Sequence, residues 1–442
     1  MHCIHIPSAV KKRIAVAVSG GVDSAVAAAL LKQSPEYKDA DLVGVFMRNW
    51  DEAEERSTVS NSNCTIEQDY RDAERVCKVL KMPLVELDFV QTYYTNVFEP
   101  FLESLRRGGT PNPDIACNKV VKFDALLKAC RRHMRADMLA TGHYARIGQG
   151  GRGPLEDEWQ LLRARDHEYD QTYFLSSIDR AVLGHILFPL GDLRKQEVRE
   201  LARDFGLSKV SEKKSSTGIC FIGKRDFGAF VEEYLPPRPG VFVDVDDVQV
   251  TGVGQGPEVA GQRLTPLAQC RNIHALTYGQ NAGIGGLESK AFVVGKDLVR
   301  DVVYVCRDRE HPSLYTRTAL LDDLHWLSAS HERIWYSTGR LLGVQYKARY
   351  REPQKHVVEM VMDSGHREND GNDGIRNGGT GRRTSQYWRL DRTYQDHSKP
   401  PVWIEFAEPA YAITPGQYIV LYDGDVCVAS ARIESPGEHT HT

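Results

Sequence analysis

Over the first 140 residues, apolar and polar positions fall into alternating blocks. Short apolar runs at Ile14–Val18, Leu42–Met47, Leu84–Phe89 and Asp137–Ala140 have strand length. Between them, Ser24–Leu31, Ile66–Leu80 and Thr92–Leu105 read as helices. Short buried strands separated by helices predict an α/β fold with a parallel sheet covered on both faces. Ligands in such sheets bind at the carboxyl ends of the strands. That places the segments after Val18, Met47 and Ala140 on one rim. Further on, an edge strand is expected before Asp170, and Lys195–Phe205 is an amphipathic helix ending at Gly206.

The pattern changes near Pro236-Pro237-Arg238-Pro239-Gly240. Beyond it valine dominates and turn residues recur, which predicts small β-rich domains. Leu341–Tyr350 and Val402–Phe406 alternate as strands. Ile419–Tyr422 and Val426–Ile433 flank Asp423-Gly424-Asp425 as a hairpin. Asp363–Gln386 is rich in Gly, Asn, Asp and Arg and is expected to be a disordered surface loop.

A length of 442 residues calls for two or three domains. No apolar run approaches membrane-spanning length. The formal net charge of -4 means that any nucleic-acid site has to be a local basic patch. The 9 cysteines, at positions 3, 64, 77, 117, 130, 220, 270, 306 and 427, include no C-x-x-C pair. This argues against a disulfide scaffold or a zinc ribbon and for reduced thiols in an intracellular compartment. The residues before Ile14 hold Lys11, Lys12 and Arg13 and no acid, too short a stretch to read as a transit peptide.

The stretch Ser19-Gly20-Gly21-Val22-Asp23-Ser24 joins the first strand to the first helix. Its glycines permit a sharp turn that converges backbone N–H groups. Those donors, two serines and the helix dipole make a phosphate cradle. With no Lys in the loop, it is not the loop of kinases and GTPases. On the same rim lies Thr141-Gly142-His143-Tyr144, where His143 reads as a hydrogen-bonded structural group.

Between Gly108 and Lys122 two prolines predict a rigid extended loop, with Cys117-Asn118 at or near the start of a helix running to about Arg132. A thiol at a helix N-terminus beside Lys119 and Lys122 is a usable nucleophile, and Asp114 reaches the same space as a proton shuttle. Equally, from this segment alone, Asp114 caps the helix and Cys117 fills a gap. Cys220, between Gly218 and Gly223 where the backbone has freedom to move, reads by itself as a buried structural cysteine.

Taken together, these stretches resemble the tRNA-specific 2-thiouridylases of bacteria and mitochondria, members of the PP-loop ATPase superfamily. The resemblance rests on Ser19–Ser24, Phe46–Trp50, Thr110–Asp114 with Cys117–Lys119, Ala140–Arg146, Asp170-Gln171 with Tyr173–Leu175, Leu187–Gly191, Ser216–Gly223, Ala348–Arg351 and Ile413–Gln417. It implies a PP-loop ATP-binding domain over 1–215 (adenine nucleotide alpha hydrolase-like), a small central domain over 216–298 and a C-terminal β-barrel-like domain over 299–442. Insertions are expected near 253–275 and 363–386.

The activity implied is ATP-dependent adenylation at C2 of the wobble uridine 34, followed by replacement of that oxygen with sulfur. Ala17, Val18, Ser19, Gly20, Gly21, Val22, Asp23, Ser24, Met47 and Gly142 then hold ATP. Asn112, Pro113 and Asp114 meet the target base. Cys117 is the nucleophile and Cys220 carries the sulfur as a persulfide, with a transient Cys117–Cys220 disulfide if the released-sulfur route is used. Lys119, Asp170, Gln171, Arg349 and Tyr350 contact the tRNA, and Lys122 and Arg351 are basic candidates beside them. Mg2+ is expected with the pyrophosphate leaving group, with Asp23 a candidate to position it. Implied partners are tRNAs of the Lys, Glu and Gln types and a sulfur donor such as a cysteine desulfurase or relay protein, with no membrane.

Two departures bear on tRNA docking. Tyr169 stands where the family usually has Lys, and Tyr278-Gly-Gln-Asn281 replaces the usual Gly-Gln-Arg. The insertions look eukaryotic and imply a mitochondrial location, or a cytoplasmic one if the protein is bacterial. A PP-loop ligase that adenylates a small metabolite, like the ATP pyrophosphatase part of GMP synthetase, is the alternative from the loop alone. A tRNA-binding protein with a dead ATP site ranks third.

Overall fold

A computed structural model of the chain describes residues 11–50, 65–150, 158–211, 222, 225–250, 262–362 and 401–438. It divides into two compact units: residues 1–97, 114–221 and 425–427, and residues 98–113, 222–424 and 428–442.

The first unit is built on five parallel strands. They are β1 (Arg13–Ala17), β2 (Asp41–Arg48), β3 (Leu84–Asp88), β4 (Met138–Ala140) and a two-residue strand, Ile186–Leu187, in the order β3-β2-β1-β4 with Ile186–Leu187 outermost. The apolar runs of the sequence are these strands, displaced by a residue or so at their ends. Helix α1 (Val22–Gln33) follows β1 directly. Ala25–Ala29 are at most 1% exposed, so small side chains let the helix bury nearly all round. It shares one core with Ile14 and Val16 of β1, with Val76 and Cys77 of helix Thr65–Val79, and with Val198 and Ala202 of helix Lys195–Asp204. The edge strand expected before Asp170 is Trp159–Leu162, paired antiparallel with Arg146–Gln149.

Two helices differ from expectation. Thr92–Leu105 is not one α-helix but Val90–Tyr93, a π-turn Tyr94–Phe98 and Glu99–Arg106. Pro100 has no N–H to give to the preceding turn, so the hydrogen-bond ladder shifts there. The cysteine helix begins earlier than expected. Pro113–Ala116, the π-helical Cys117–Leu126 and Leu127–Met134 succeed one another. Pro113 opens the helix, because its fixed φ and missing N–H suit a first helical position.

The second unit holds two β structures. A four-stranded sheet has the order Pro266–Cys270, Gly240–Asp244, Val302–Cys306, Phe292–Asp297. Within it, Val302–Cys306 runs parallel to Gly240–Asp244 and the other pairs are antiparallel. The C-terminal strands follow the order Tyr315–Trp326, Val402–Tyr411, Lys355–Met362, Gln345–Lys347, Tyr418–Asp423, Val426–Pro436. The last pairs back onto the first, closing an antiparallel barrel. Leu341–Tyr350 is two short strands rather than one, Arg340–Leu341 and Gln345–Lys347, broken at Gly343 with φ +72°. The hairpin at Asp423–Asp425 forms as expected.

The segments 363–386 and 251–261 lie outside the described residues. No described helix is long and apolar enough to cross a membrane.

Candidate active site

The site begins where β1 ends. Gly20 has φ +74°, and a Cβ there would stand 2.3 Å from the Asp69 carbonyl oxygen, so only glycine serves. Ser24, buried at the start of α1, organises the turn. Its Oγ accepts from the Ser19 N–H at 3.1 Å, lies 3.2 Å from Ser19 Oγ and donates to the Gly21 carbonyl at 3.0 Å. Gly21 is the N-cap, and no side chain caps the first turn of α1. The positive end of a twelve-residue helix is thus left as a ready anion site.

Two neighbouring strands complete the rim. Ala17 pairs with Val45 and the Val18 N–H donates to the Val45 carbonyl, so Met47 lies level with Ser19. Beyond β4, Gly142 packs so closely that a Cβ would meet the Ser24 nitrogen at 2.6 Å. The ten residues Ala17–Ser24, Met47 and Gly142 therefore lie on one rim of the first unit. Uncapped amides, two hydroxyls and a helix dipole fit the phosphates of a nucleotide.

Asp23 has a different environment from the one its motif position suggested. Lys195 Nζ lies 2.6 and 2.7 Å from its two carboxylate oxygens, and the Tyr144 hydroxyl donates to Oδ1 at 2.9 Å. That carboxylate does not fit a divalent ion. Among the described residues no group of three or more His, Cys, Asp or Glu is arranged to hold a metal. Lys195 was not singled out from the sequence as a site residue. It lies 172 positions from Asp23, and nothing local reveals the pairing.

The cysteine helix supplies the second half of the site. Cys117 is 3% exposed and sits one turn inside the helix, so the positive helix end falls at Pro113 and Asp114 rather than at the thiol. Asp114 is three residues before Cys117, on the same side of the helix. Burial raises the Asp114 carboxyl above the usual carboxylate range, with Lys122 opposing. His143 follows Gly142, and its Nδ1 lies 2.6 Å from Thr141 Oγ1. Its ring packs 5.6 Å from Phe123 and 6.0 Å from Phe188. Burial first, then the Lys122 charge, push its pKa well below the usual histidine value, so the ring is neutral. Lys122 thus acts on both Asp114 and His143. The Phe123–His143 contact joins the cysteine helix to the turn that packs on Ser24. Asn118 anchors the helix further by donating to the Phe174 carbonyl at 3.0 Å.

The other described cysteines are buried thiols. Burial raises Cys77 to about 11 and Cys130 and Cys306 to about 12, and raises Cys270 too, far from the thiolate that nucleophilic chemistry needs. Cys220 lies outside the described residues, as does most of its loop.

In the second unit, the Thr110 N–H donates to the Pro415 carbonyl at 2.8 Å, and Gln417 Nε2 donates to the Thr110 carbonyl at 2.7 Å. Asn112 Nδ2 reaches Gln417 Oε1 at 3.4 Å. The motifs Thr110–Asp114 and Ile413–Gln417 are therefore partners in structure. Lys119 and Tyr350 are half-buried, with Lys347 Nζ 5.8 Å from the Tyr350 ring.

Two of the expected RNA contacts, Asp170 and Arg349, are engaged within the protein itself. Asp170 is 0% exposed. Its carboxylate accepts from Ala164 N at 3.1 Å and Thr172 Oγ1 at 2.9 Å and pairs with Arg163 at 3.4 Å, so it orders its own segment. Gln171 is half-buried, and its Oε1 accepts from Tyr144 N at 2.9 Å. Arg349 directs its guanidinium to the Tyr411 and Ala412 carbonyls and to Glu352, stacked 5.4 Å from the Tyr411 ring. These contacts hold the side chain within the barrel.

A family model described as "tRNA methyl transferase HUP domain" matches residues 12–224, and one described as "Aminomethyltransferase beta-barrel domain" matches residues 394–433. The chain is 36% identical over 431 residues to the tRNA-specific 2-thiouridylase MnmA of Chlamydia trachomatis serovar D, covering 97% of this chain and 99% of that protein. It is 37% identical over 426 residues to the protein of the same name from Alkaliphilus oremlandii, covering 96% and 97%. Among solved structures it is similar to the U34-tRNA thiolase NcsA of Methanococcus maripaludis, at 15% identity and TM-score 0.27, covering 50% of this chain and 63% of that one.

Proposed function

The chain belongs to the tRNA-specific 2-thiouridylase family, and on that premise we propose that it is an ATP-dependent tRNA-uridine 2-sulfurtransferase acting on the wobble uridine. One observation supports this reading above the others. A nucleotide-type loop, Ser19–Ser24, and a buried cysteine helix belong to the same unit and are joined through Gly142 and His143. A ligase for a small metabolite needs the loop but has no use for the helix.

In this reading ATP supplies the leaving group by adenylating the uridine C2 oxygen. The first turn of α1, Ser19 and Ser24 bind its phosphates, and Gly142 closes the rim. Asn112, Pro113 and Asp114 meet the base. An unpaired anticodon base enters a pocket at modest cost. Asp114, with its raised pKa, takes and returns protons. Mg2+ would neutralise charge on the pyrophosphate leaving group, and the Asp23 carboxylate, already paired with Lys195, would not be its ligand.

Sulfur reaches the base from Cys220. Its persulfide is attacked at the inner sulfur by the Cys117 thiolate. The S–S bond breaks, hydrosulfide leaves and a Cys117–Cys220 disulfide forms. Hydrosulfide then adds at C2 and AMP departs, and an external dithiol restores both thiols. In the direct alternative, the terminal persulfide sulfur attacks C2 itself. A cysteine desulfurase or a relay protein supplies the persulfide, and tRNAs of the Lys, Glu and Gln types are the acceptors. A mitochondrial location has only the family resemblance and the eukaryotic-looking insertions behind it, and the two relatives named above are bacterial. In this reading the chain divides into domains at residues 215 and 298.

The test is AMP release by the full-length protein. Release that requires tRNA bearing uridine 34 supports the reading. Release that ignores tRNA but responds to a small acceptor would replace it with the ligase.

A further inference from the structure

Lys195 belongs to no motif that carried the reading above, yet it is tied more closely to the nucleotide loop than any other basic side chain described here. It is 5% exposed, and its ammonium contacts both oxygens of Asp23 at 2.6 and 2.7 Å. The rings of Tyr144 and Tyr169 flank it at 5.3 and 5.6 Å, and Tyr144 also donates to Asp23 at 2.9 Å. Its backbone is fixed as well. The Lys195 N–H donates to Asp166 at 2.9 Å, and Lys195 opens helix Lys195–Asp204, whose Val198 and Ala202 pack in the same core as α1.

Helix α1 does not need this pair to be held in place. Ala25 to Ala29 are at most 1% exposed and anchor it through apolar packing. Lys195 is buried but the Asp23 side chain is 33% exposed, and such a partly buried ion pair adds little to stability compared with apolar side chains of the same shape. What the pair does fix is one particular turn. Asp23 sits between Val22 and Ser24, whose amides point out of the helix end, and Ser24 Oγ in turn sets Ser19. A shift of Asp23 moves every donor of the cradle.

We propose that Lys195 is a positioning residue of the ATP loop: its ammonium occupies the Asp23 carboxylate that a divalent cation would otherwise claim, so the phosphate-binding turn is set by a cation of the chain itself. A metal at that carboxylate would face the Lys195 ammonium at contact distance. The inference rests on the ATP reading of Ser19–Ser24 and names which side chain makes that loop competent.

The experiment uses full-length protein and an ATP analogue that is not cleaved between the α- and β-phosphates. Binding and thermal unfolding are measured for wild type, Lys195→Met, Lys195→Arg, Asp23→Asn and the double variant Lys195→Met with Asp23→Asn. Lys195→Met is expected to weaken binding by about tenfold or more, the scale of losing charge-assisted hydrogen bonds. Lys195→Arg recovers most of the affinity. The double variant, with no uncompensated charge, recovers the unfolding temperature but not the affinity. Asp23→Asn keeps the Mg2+ dependence of binding. The proposal falls if Lys195→Met binds like wild type, if the double variant regains affinity together with stability, or if Asp23→Asn loses the Mg2+ dependence. Wild-type protein that binds no ATP would instead overturn the reading of the loop, and this inference with it.

Discussion

Gly142 lies against Ser24 with no room for a side chain: a Cβ at residue 142 would stand 2.6 Å from the Ser24 nitrogen and 2.7 Å from the Asp23 carbonyl carbon. Both neighbours are backbone atoms of the turn that begins α1, so the clash has no side chain to push aside. The end of β4 and the nucleotide loop are thereby set as one piece. Gly142→Ala is expected to displace that turn, costing about 1–3 kcal/mol of stability and weakening ATP binding by about tenfold or more. Nucleotide titration beside thermal unfolding checks it, and unchanged affinity would show that the loop tolerates displacement.

Cys117→Ser keeps the size of the side chain and removes the nucleophile. Buried at 3% exposure, the serine should leave the fold and ATP binding close to wild type while thiolation disappears. Quantifying 2-thiouridine alongside ATP binding separates the two effects.

Lys122 holds down the pKa of Asp114 against burial. Removing its charge with Lys122→Met lets burial act alone, so the Asp114 carboxyl titrates at higher pH. If the ionised form is the working base, the acidic limb of the rate profile moves upward. A rate–pH profile of both proteins measures this, and an unmoved limb would assign the limb to another group.

His143 is neutral in the fold because burial, and then Lys122, depress its pKa below the ordinary value. The folded pKa is lower than the unfolded one, so the unfolded state binds the proton first as pH falls. The stability in question is complete above about pH 6.5 and is lost on the way down to the folded pKa, by at most about 1.4 kcal/mol per pH unit. His143→Gln should flatten this slope between about pH 6.5 and 5. Denaturant midpoints at several pH values provide the check.

Asp170 gives the clearest contrast between a binding and a structural role. Its carboxylate is wholly buried among Ala164 N, Thr172 and Arg163. Asp170→Ala should cost about 3–5 kcal/mol because it strands the Arg163 charge. In a direct contact with RNA, the same substitution would weaken tRNA binding and leave the unfolding temperature in place.

Much of this was legible in the sequence, for reasons that can be located. The strands leading to Ser19, Met47 and Thr141 are short apolar runs with polar ends, and such runs have few other ways to bury themselves. The glycine loop was legible because its chemistry is local: donors, hydroxyls and a helix end lie within six residues. The start of the cysteine helix was misplaced although its signal was present. Asn112-Pro113-Asp114 is a residue suited to an N-cap followed by proline at the first helical position. Reading both prolines as loop formers moved the helix end onto the thiol. The internal bonds of Asp170 and Arg349 are not legible in the sequence, because a polar residue in a motif looks the same whether it faces solvent or a buried amide. The Asp23–Lys195 pair was not legible at all, since tertiary packing alone brings the start of α1 to the start of a helix 172 residues away.

The most direct test of the account is transfer of sulfur to tRNA. Full-length protein is incubated with ATP, a persulfide source and unmodified tRNA bearing uridine 34, beside Cys117→Ser and Cys220→Ser, and the digested nucleosides are read by mass spectrometry. The account predicts 2-thiouridine from wild type only, dependent on ATP, with nucleotide binding kept in both variants. Product from either cysteine variant at the wild-type rate, or ATP consumption by wild type without any 2-thiouridine, would contradict it.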